Sequence, residues 1–115
     1  MRRRVDVVDD TFVRAAPEAI RAALDGPALW AELWPHLRLT LVRDRGERGW
    51  RWSVAGQVEG DMEVWIEPWW DGAVVHHYMR GVRMPGAPAD VQRRHVLRWK
   101  AWVHHLKDTV ERRPL

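Results

Sequence analysis

Gly60-Asp61-Met62-Glu63-Val64-Trp65-Ile66-Glu67, the turn Pro68-Trp69-Trp70-Asp71-Gly72, and Ala73-Val74-Val75-His76-His77-Tyr78-Met79-Arg80-Gly81-Val82 decide how this chain folds. Two β-forming runs flank a turn punctuated by Pro, Asp and Gly, which is the pattern of an antiparallel hairpin. In the first run Met62, Val64 and Ile66 alternate with Asp61, Glu63, Trp65 and Glu67, the period-two signature of a strand with two unlike faces. With residues 69–72 as the loop, the register follows. Ile66 faces Val75, Val64 faces His77 and Met62 faces Met79. On the opposite face Trp65 meets His76, Glu63 meets Tyr78 and Asp61 meets Arg80. One face is apolar apart from His77 and the other pairs acids with bases, and a slip of one residue would scramble both. Glu63 and Glu67 then lie on the outer, solvated face beside Tyr78 and Arg80, and are not read as a catalytic carboxylate pair.

The segments on either side extend the sheet. Residues 37–43 and 49–55 flank Asp44-Arg45-Gly46-Glu47-Arg48, a hairpin loop, and Trp50, Trp52 and Val54 alternate to one face. Residues 5–14, rich in β-branched side chains, form the first strand. Pro17-Glu18 opens a short helix: Pro suits the first helical position and Glu18 the positive end of the dipole. Asp25-Gly26-Pro27 ends that helix and starts a second through Leu29, Trp30, Leu33 and Trp34, which Pro35 stops. After the loop at residues 84–89, Asp90 is placed to cap a long helix over 91–112. Val96, Trp99, Val103, Leu106 and Val110 recur at steps of three and four, with His95 and Trp102 beside the stripe, and Pro114 closes it.

At 115 residues the chain has the length of one domain, residues 1–115, with a single core. The absence of cysteine excludes disulfides, thiolate metal sites and cysteine nucleophiles. Met1-Arg2-Arg3-Arg4 is basic, but Asp6, Asp9 and Asp10 interrupt the run where a signal peptide needs apolar residues. No stretch is long and apolar enough for a membrane span, and the expected location is the cytoplasm. The net charge of +3 is spread over arginines interleaved with acids, which is not the clustered stripe of a nucleic-acid binder. The outlier is tryptophan: nine, against one Phe and one Tyr. Burying one removes about 150–250 Å² from water, an upper bound on the order of 4–6 kcal/mol. These rings build a core, line a cavity or make an interface.

The order of strand, two short helices, strand meander and long terminal helix resembles the START-like (SRPBCC) superfamily, nearest its polyketide cyclase/dehydrase-like branch. The residues that carry the resemblance are Ala16-Pro17-Glu18-Ala19-Ile20, Leu29-Trp30-Ala31-Glu32-Leu33-Trp34-Pro35, Gly60 through Pro68, Val74-Val75-His76-His77-Tyr78, Arg98-Trp99-Lys100 and Leu106-Lys107-Asp108. It implies an α+β helix-grip fold, in which a curved antiparallel sheet of about five strands wraps the C-terminal helix. Members commonly have six or seven strands, so strand 37–43 would be a bare edge able to pair with a second copy of the chain.

In such a fold a cavity would be lined by Trp50 and Trp52, by Met62, Val64, Ile66, His77 and Met79, and by His95, Trp99, Trp102, Val103 and Leu106 from the helix. The alternative is that these residues make a filled core. His77 and His95 are the candidate acid/base groups, the alternative being hydrogen-bonded core histidines. His76-His77 and His104-His105 are poorly spaced for metal, and His104 with Asp108 supplies only two ligands, so neither metal nor cofactor is expected. Three functions follow. The first is binding of a small hydrophobic or aromatic, lipid- or polyketide-like molecule. The second is a cyclase or dehydratase using the two histidines. The third is a homodimeric interaction module using Trp69, Trp70 and the edge strand.

Overall fold

The computed structural model describes residues 3–111. The elements follow in the order β1 (Arg4–Val13), α1 (Pro17–Leu24), α2 (Pro27–Leu33), β2 (Leu37–Asp44), a 3-10 turn (Gly46–Arg48), β3 (Gly49–Gly56), β4 (Val58–Trp69), β5 (Gly72–Arg83) and α3 (Val91–Val110). The five strands make one antiparallel sheet in the order β1-β5-β4-β3-β2. β1 reaches the far side of β5 because α1 and α2 carry the chain across to β2. The proposed end of the last helix at residue 112 and its stop at Pro114 lie outside the described residues.

The β4–β5 register is the one the alternation predicts: Ile66 pairs with Val75, Val64 with His77, Met62 with Met79, Trp65 with His76, Glu63 with Tyr78 and Asp61 with Arg80. Both strands run longer than expected. Trp69 pairs with Gly72, so the loop shrinks to Trp70-Asp71, and Trp70 turns the chain with a left-handed φ of 51°. At the other end of the hairpin Gly60 faces Gly81. A Cβ on Gly60 would come within 2.0 Å of the Arg80 carbonyl oxygen, so the two strands approach there as only glycine allows.

The inner face of the sheet is buried by α1, α2 and α3. Val5, Val7 and Val13 of β1 point into it together with Trp50, Trp52 and Val54 of β3 and the inward residues of β4 and β5. From α3, Val91, His95, Trp99, Val103 and Leu106 meet them, while Val96, Trp102 and Val110 are half-buried at the border. Asp90 occupies the N-cap of α3 without capping it; its carboxylate pairs with Arg94 one turn on. No helix among the described residues is long and apolar enough to cross a membrane.

Candidate functional site

The site begins with α2. Gly26 enters it at a positive φ of 117° and Pro27 supplies its first turn. The helix lays Trp30 and Leu33 on the sheet, and Trp34 follows at its C-cap. Trp30 stands edge-on to Trp50 and Trp52, at centroid distances of 5.6 and 5.0 Å, and its Nε1 donates to the Leu24 carbonyl at 2.7 Å. Trp34 meets Trp52 at 5.3 Å with the rings 66° apart. Such edge-to-face pairs suit the charge distribution of aromatic rings. Between α2 and β2–β3 this wall encloses a half-open cavity of about 490 Å³, lined by Pro27, Trp30, Ala31, Trp34, Leu37, Leu39, Leu41 and Trp52. No lining side chain titrates.

Trp34 also packs against a polar group of rings. Its ring stacks on His77 (5.6 Å), His95 (6.4 Å) and Trp99 (6.3 Å). There His77 Nδ1 lies 2.9 Å from the Glu63 carbonyl oxygen, His77 Nε2 lies 2.7 Å from His95 Nε2, and His95 Nδ1 lies 2.9 Å from His36 Nε2. Donor logic sets the tautomers. A carbonyl only accepts, so His77 Nδ1 carries the proton and its Nε2 accepts from His95 Nε2–H. Neutral His95 then accepts at Nδ1 from His36 Nε2–H. One set of neutral rings satisfies the whole chain. Burial favours the neutral form and, opposed by the Glu63 hydrogen bond and the charge of Asp9, pulls His77 down to about 4. Burial and the exposed Arg98 guanidinium pull His36 to about 4. His95, buried and beside His77, His36 and Arg98, falls to about 2.

Asp9 is the buried carboxylate of this region. It accepts from Trp99 Nε1 at 3.0 Å and from Thr11 Oγ1 at 2.9 Å, and it pairs with Lys100. Burial alone would raise its pKa; the bonds from Lys100, Thr11 and Trp99 outweigh burial and hold it below the ordinary value.

On the outer face the carboxylates are less free than the sequence reading has them. Glu63 pairs with Arg45 at 2.9 Å, while Glu67 and Asp10 both bind His76, which stacks on Trp65 at 4.5 Å. Tyr78 joins this cluster by donating to Asp10, and Arg80 pairs with Asp6 of β1 instead of neutralising Glu63 or Glu67. Arg45 and the His76 ring thus stand where the sequence reading put Tyr78 and Arg80 as partners of those two glutamates. Among the described residues no group of three or more His, Cys, Asp or Glu is placed to hold a metal ion.

Of the residues singled out from sequence, Trp52 lines the apolar cavity and Trp50 backs it through Trp30. His77 and His95 meet each other, His77 also meets Trp99, and Trp34 stacks on all three, with neither histidine lining the cavity. Val64, Ile66, Met79, Val103 and Leu106 are buried in the core and Met62 is buried beside them, while Trp102 stacks on Trp99 at the border. Of the residues lining the cavity, Trp34 among them, sequence reading singled out Trp52 alone, and it missed His36 and Asp9 as partners of the buried polar groups. Trp34-Pro35-His36 read only as the end of a helix, and Asp9 only as a break in an apolar run.

No family model matches the chain, and no curated protein does. Solved structures do. The Aha1 dimer from Colwellia psychrerythraea superposes with a TM-score of 0.68 at 14% identity, covering 94% of this chain and 97% of that one. The di-domain ARO/CYC StfQ from the steffimycin biosynthetic pathway gives 0.56 at 17%, covering 95% and 52%. Ara h 8.0201 gives 0.56 at 11%, covering 91% and 95%. The chain shares the α+β helix-grip fold of these structures, here as a five-stranded antiparallel sheet gripping a long C-terminal helix.

Proposed function

We propose that the chain binds a small hydrophobic or aromatic molecule in the cavity between α2 and β2–β3. The observation that carries this reading is the lining: three indoles, aliphatic side chains and a proline, with no titratable group. Such a wall can solvate an apolar guest and offers nothing for general acid–base chemistry. The histidines do not supply it from behind. Both ring nitrogens of His77 and of His95 are already engaged, and neither residue lines the cavity. A protein of the same fold is described as an ARO/CYC of the steffimycin biosynthetic pathway, which is in keeping with a guest of aromatic or polyketide type.

The experiment is a titration with 2-ethylnaphthalene followed by the indole N–H resonances. Wild-type protein should show shifts at Trp30, Trp34 and Trp52. Ala31→Trp, a change at an exposed helix position on the cavity rim, should weaken binding at least tenfold while leaving the remaining resonances in place. Undiminished binding by Ala31→Trp would remove the site from this cavity. A second reading, a homodimer through β2, is favoured by the unpaired edge on which Leu41 and Val42 stand exposed, Val42 at 59%. Sedimentation tests it: a wild-type dimer converted to monomer by Val42→Lys supports it, and a monomeric wild-type chain ends it.

A further inference from the structure

A second cleft lies where α2 runs into β2, against the first two turns of α3. It encloses about 230 Å³ and is lined by Pro35, His36, Gln57, Val91, Arg94 and Arg98, so it shares no residue with the apolar cavity. Backbone hydrogen bonds to His36 and Met84 hold Gln57 in place there. Arg94 and Arg98 stand exposed one helical turn apart. Asp90 balances Arg94. Among the described residues no carboxylate pairs with Arg98, and none lines the cleft.

His36 adds a second demand. Its Nε2–H is committed to His95 Nδ1, a direction fixed by the Glu63 carbonyl at the far end of the histidine chain. Its Nδ1 is then a bare acceptor, with no partner among the described residues. The fully buried polar atoms without a partner are Trp34 Nε1 and Trp52 Nε1, so His36 Nδ1 stays open to solvent on a ring that lines the cleft. Burial and the Arg98 guanidinium keep that ring neutral, with a pKa of about 4; His95, Arg94 and Arg98 of α3 are the titratable or charged groups beside it. The cleft thus offers cationic forks and one neutral acceptor. A ligand that suits it brings a negative charge, oxygens that accept from guanidinium, and a proton to give to a ring nitrogen.

We infer that this cleft binds a phosphate group, inorganic or as a monoester, with its oxygens on Arg98 and Arg94 and its P–O–H donating to His36 Nδ1. A phosphate monoester has its second pKa near 6, so close to neutral pH it can still hold the proton that His36 Nδ1 lacks. Sulfate and phosphodiesters carry the charge without the proton. With them the bare nitrogen faces anion lone pairs unless His36 takes a proton from solvent, which burial and Arg98 oppose.

The test is calorimetric titration at pH 6 with inorganic phosphate, phenyl phosphate, sulfate and glycolate. The wild-type protein should bind phosphate at least tenfold more tightly than sulfate or glycolate. Tighter binding of phenyl phosphate than of the free ion marks an organic monoester as the ligand, and the reverse order marks the ion itself. In long-range ¹⁵N spectra phosphate should move His36 Nδ1 from the position of a bare ring nitrogen toward that of a protonated one. Arg98→Gln, a change at an exposed position, should lower phosphate affinity at least tenfold. Sulfate binding as tightly as phosphate, with Nδ1 unmoved, overturns the inference, because the arginines then act as an unselective anion patch. Glycolate binding as tightly as phosphate overturns it in favour of a hydroxy acid. Absence of phosphate binding, or undiminished binding by Arg98→Gln, removes the site; none of these results bears on the apolar cavity.

Discussion

The buried histidine chain predicts a steep loss of stability in mild acid. Each ring has its ordinary pKa near 6.5 in the unfolded chain. In the folded protein His77 is held at about 4 and His95 at about 2, burial being the main cause in both. Above pH 6.5 neither state holds a proton on these rings and the effect is absent. Below it the unfolded chain takes up protons that the folded chain refuses, so stability falls as pH falls. The window runs from 6.5 to about 4 for His77 and continues to about 2 for His95. At pH 5 each ring is about 1.5 pH units below its unfolded pKa, which is about 2 kcal/mol per ring and about 4 kcal/mol for the pair. His36 adds less, because it is only half-buried and solvent screens it. A domain of this size has a total stability of roughly 5–15 kcal/mol, so acid unfolding should begin between about pH 5 and pH 4, before most carboxylates titrate. Urea unfolding at pH 7, 6 and 5, followed by tryptophan emission, measures the slope. His95→Leu should roughly halve the loss between pH 7 and pH 5, whatever it does to stability at pH 7. Wild-type stabilities at pH 7 and pH 5 that agree within about 1 kcal/mol would refute the reasoning.

Long-range ¹⁵N correlation spectra at pH 7 should show His77 protonated at Nδ1 and both His95 and His36 at Nε2; His77 as the Nε2–H tautomer would leave the Glu63 carbonyl without its donor and reverse the assigned chain. Gly60→Ala should destabilise by about 3 kcal/mol or more, since its Cβ meets backbone and not a movable side chain; chemical denaturation reads this, and a loss below about 1 kcal/mol contradicts the close approach of β4 and β5. Trp70→Gly should stabilise by about 0.5–1 kcal/mol, because it relieves a left-handed φ of 51° at a side chain that is 90% exposed and packs little; a fall in melting temperature would mean that the exposed indole has a contact worth more than the strain.

How much of this was legible from sequence depends on whether the information was periodic. The β4–β5 pairing was, because Met62, Val64 and Ile66 alternate against charged neighbours and only one register matches both faces of the hairpin. The grip of α3 was legible for the same reason: Trp99, Val103 and Leu106 recur at helical spacing and are buried where that spacing puts them. The hairpin loop was read too long because Pro68 and Trp69 look like turn residues. Pro68 sits on a strand with Ala73 opposite, and the turn strain falls on Trp70 alone.

The cavity wall was not legible, and the reason is physical. Periodicity reports which face of an element is buried, but a cavity belongs to the gap between two elements whose relative tilt no single segment encodes. Trp34 shows this best. It follows a seven-residue helix, too short to display a stripe, and its position there says nothing about what lies on either side of its ring. In the fold that ring meets Trp52 edge-on and lines the cavity, and it also stacks on His77, His95 and Trp99. The two histidines singled out from sequence therefore do converge, as a catalytic reading requires, but they converge on each other. His36 and the Glu63 carbonyl complete their hydrogen bonding, and neither His77 nor His95 lines the apolar space where a guest would lie.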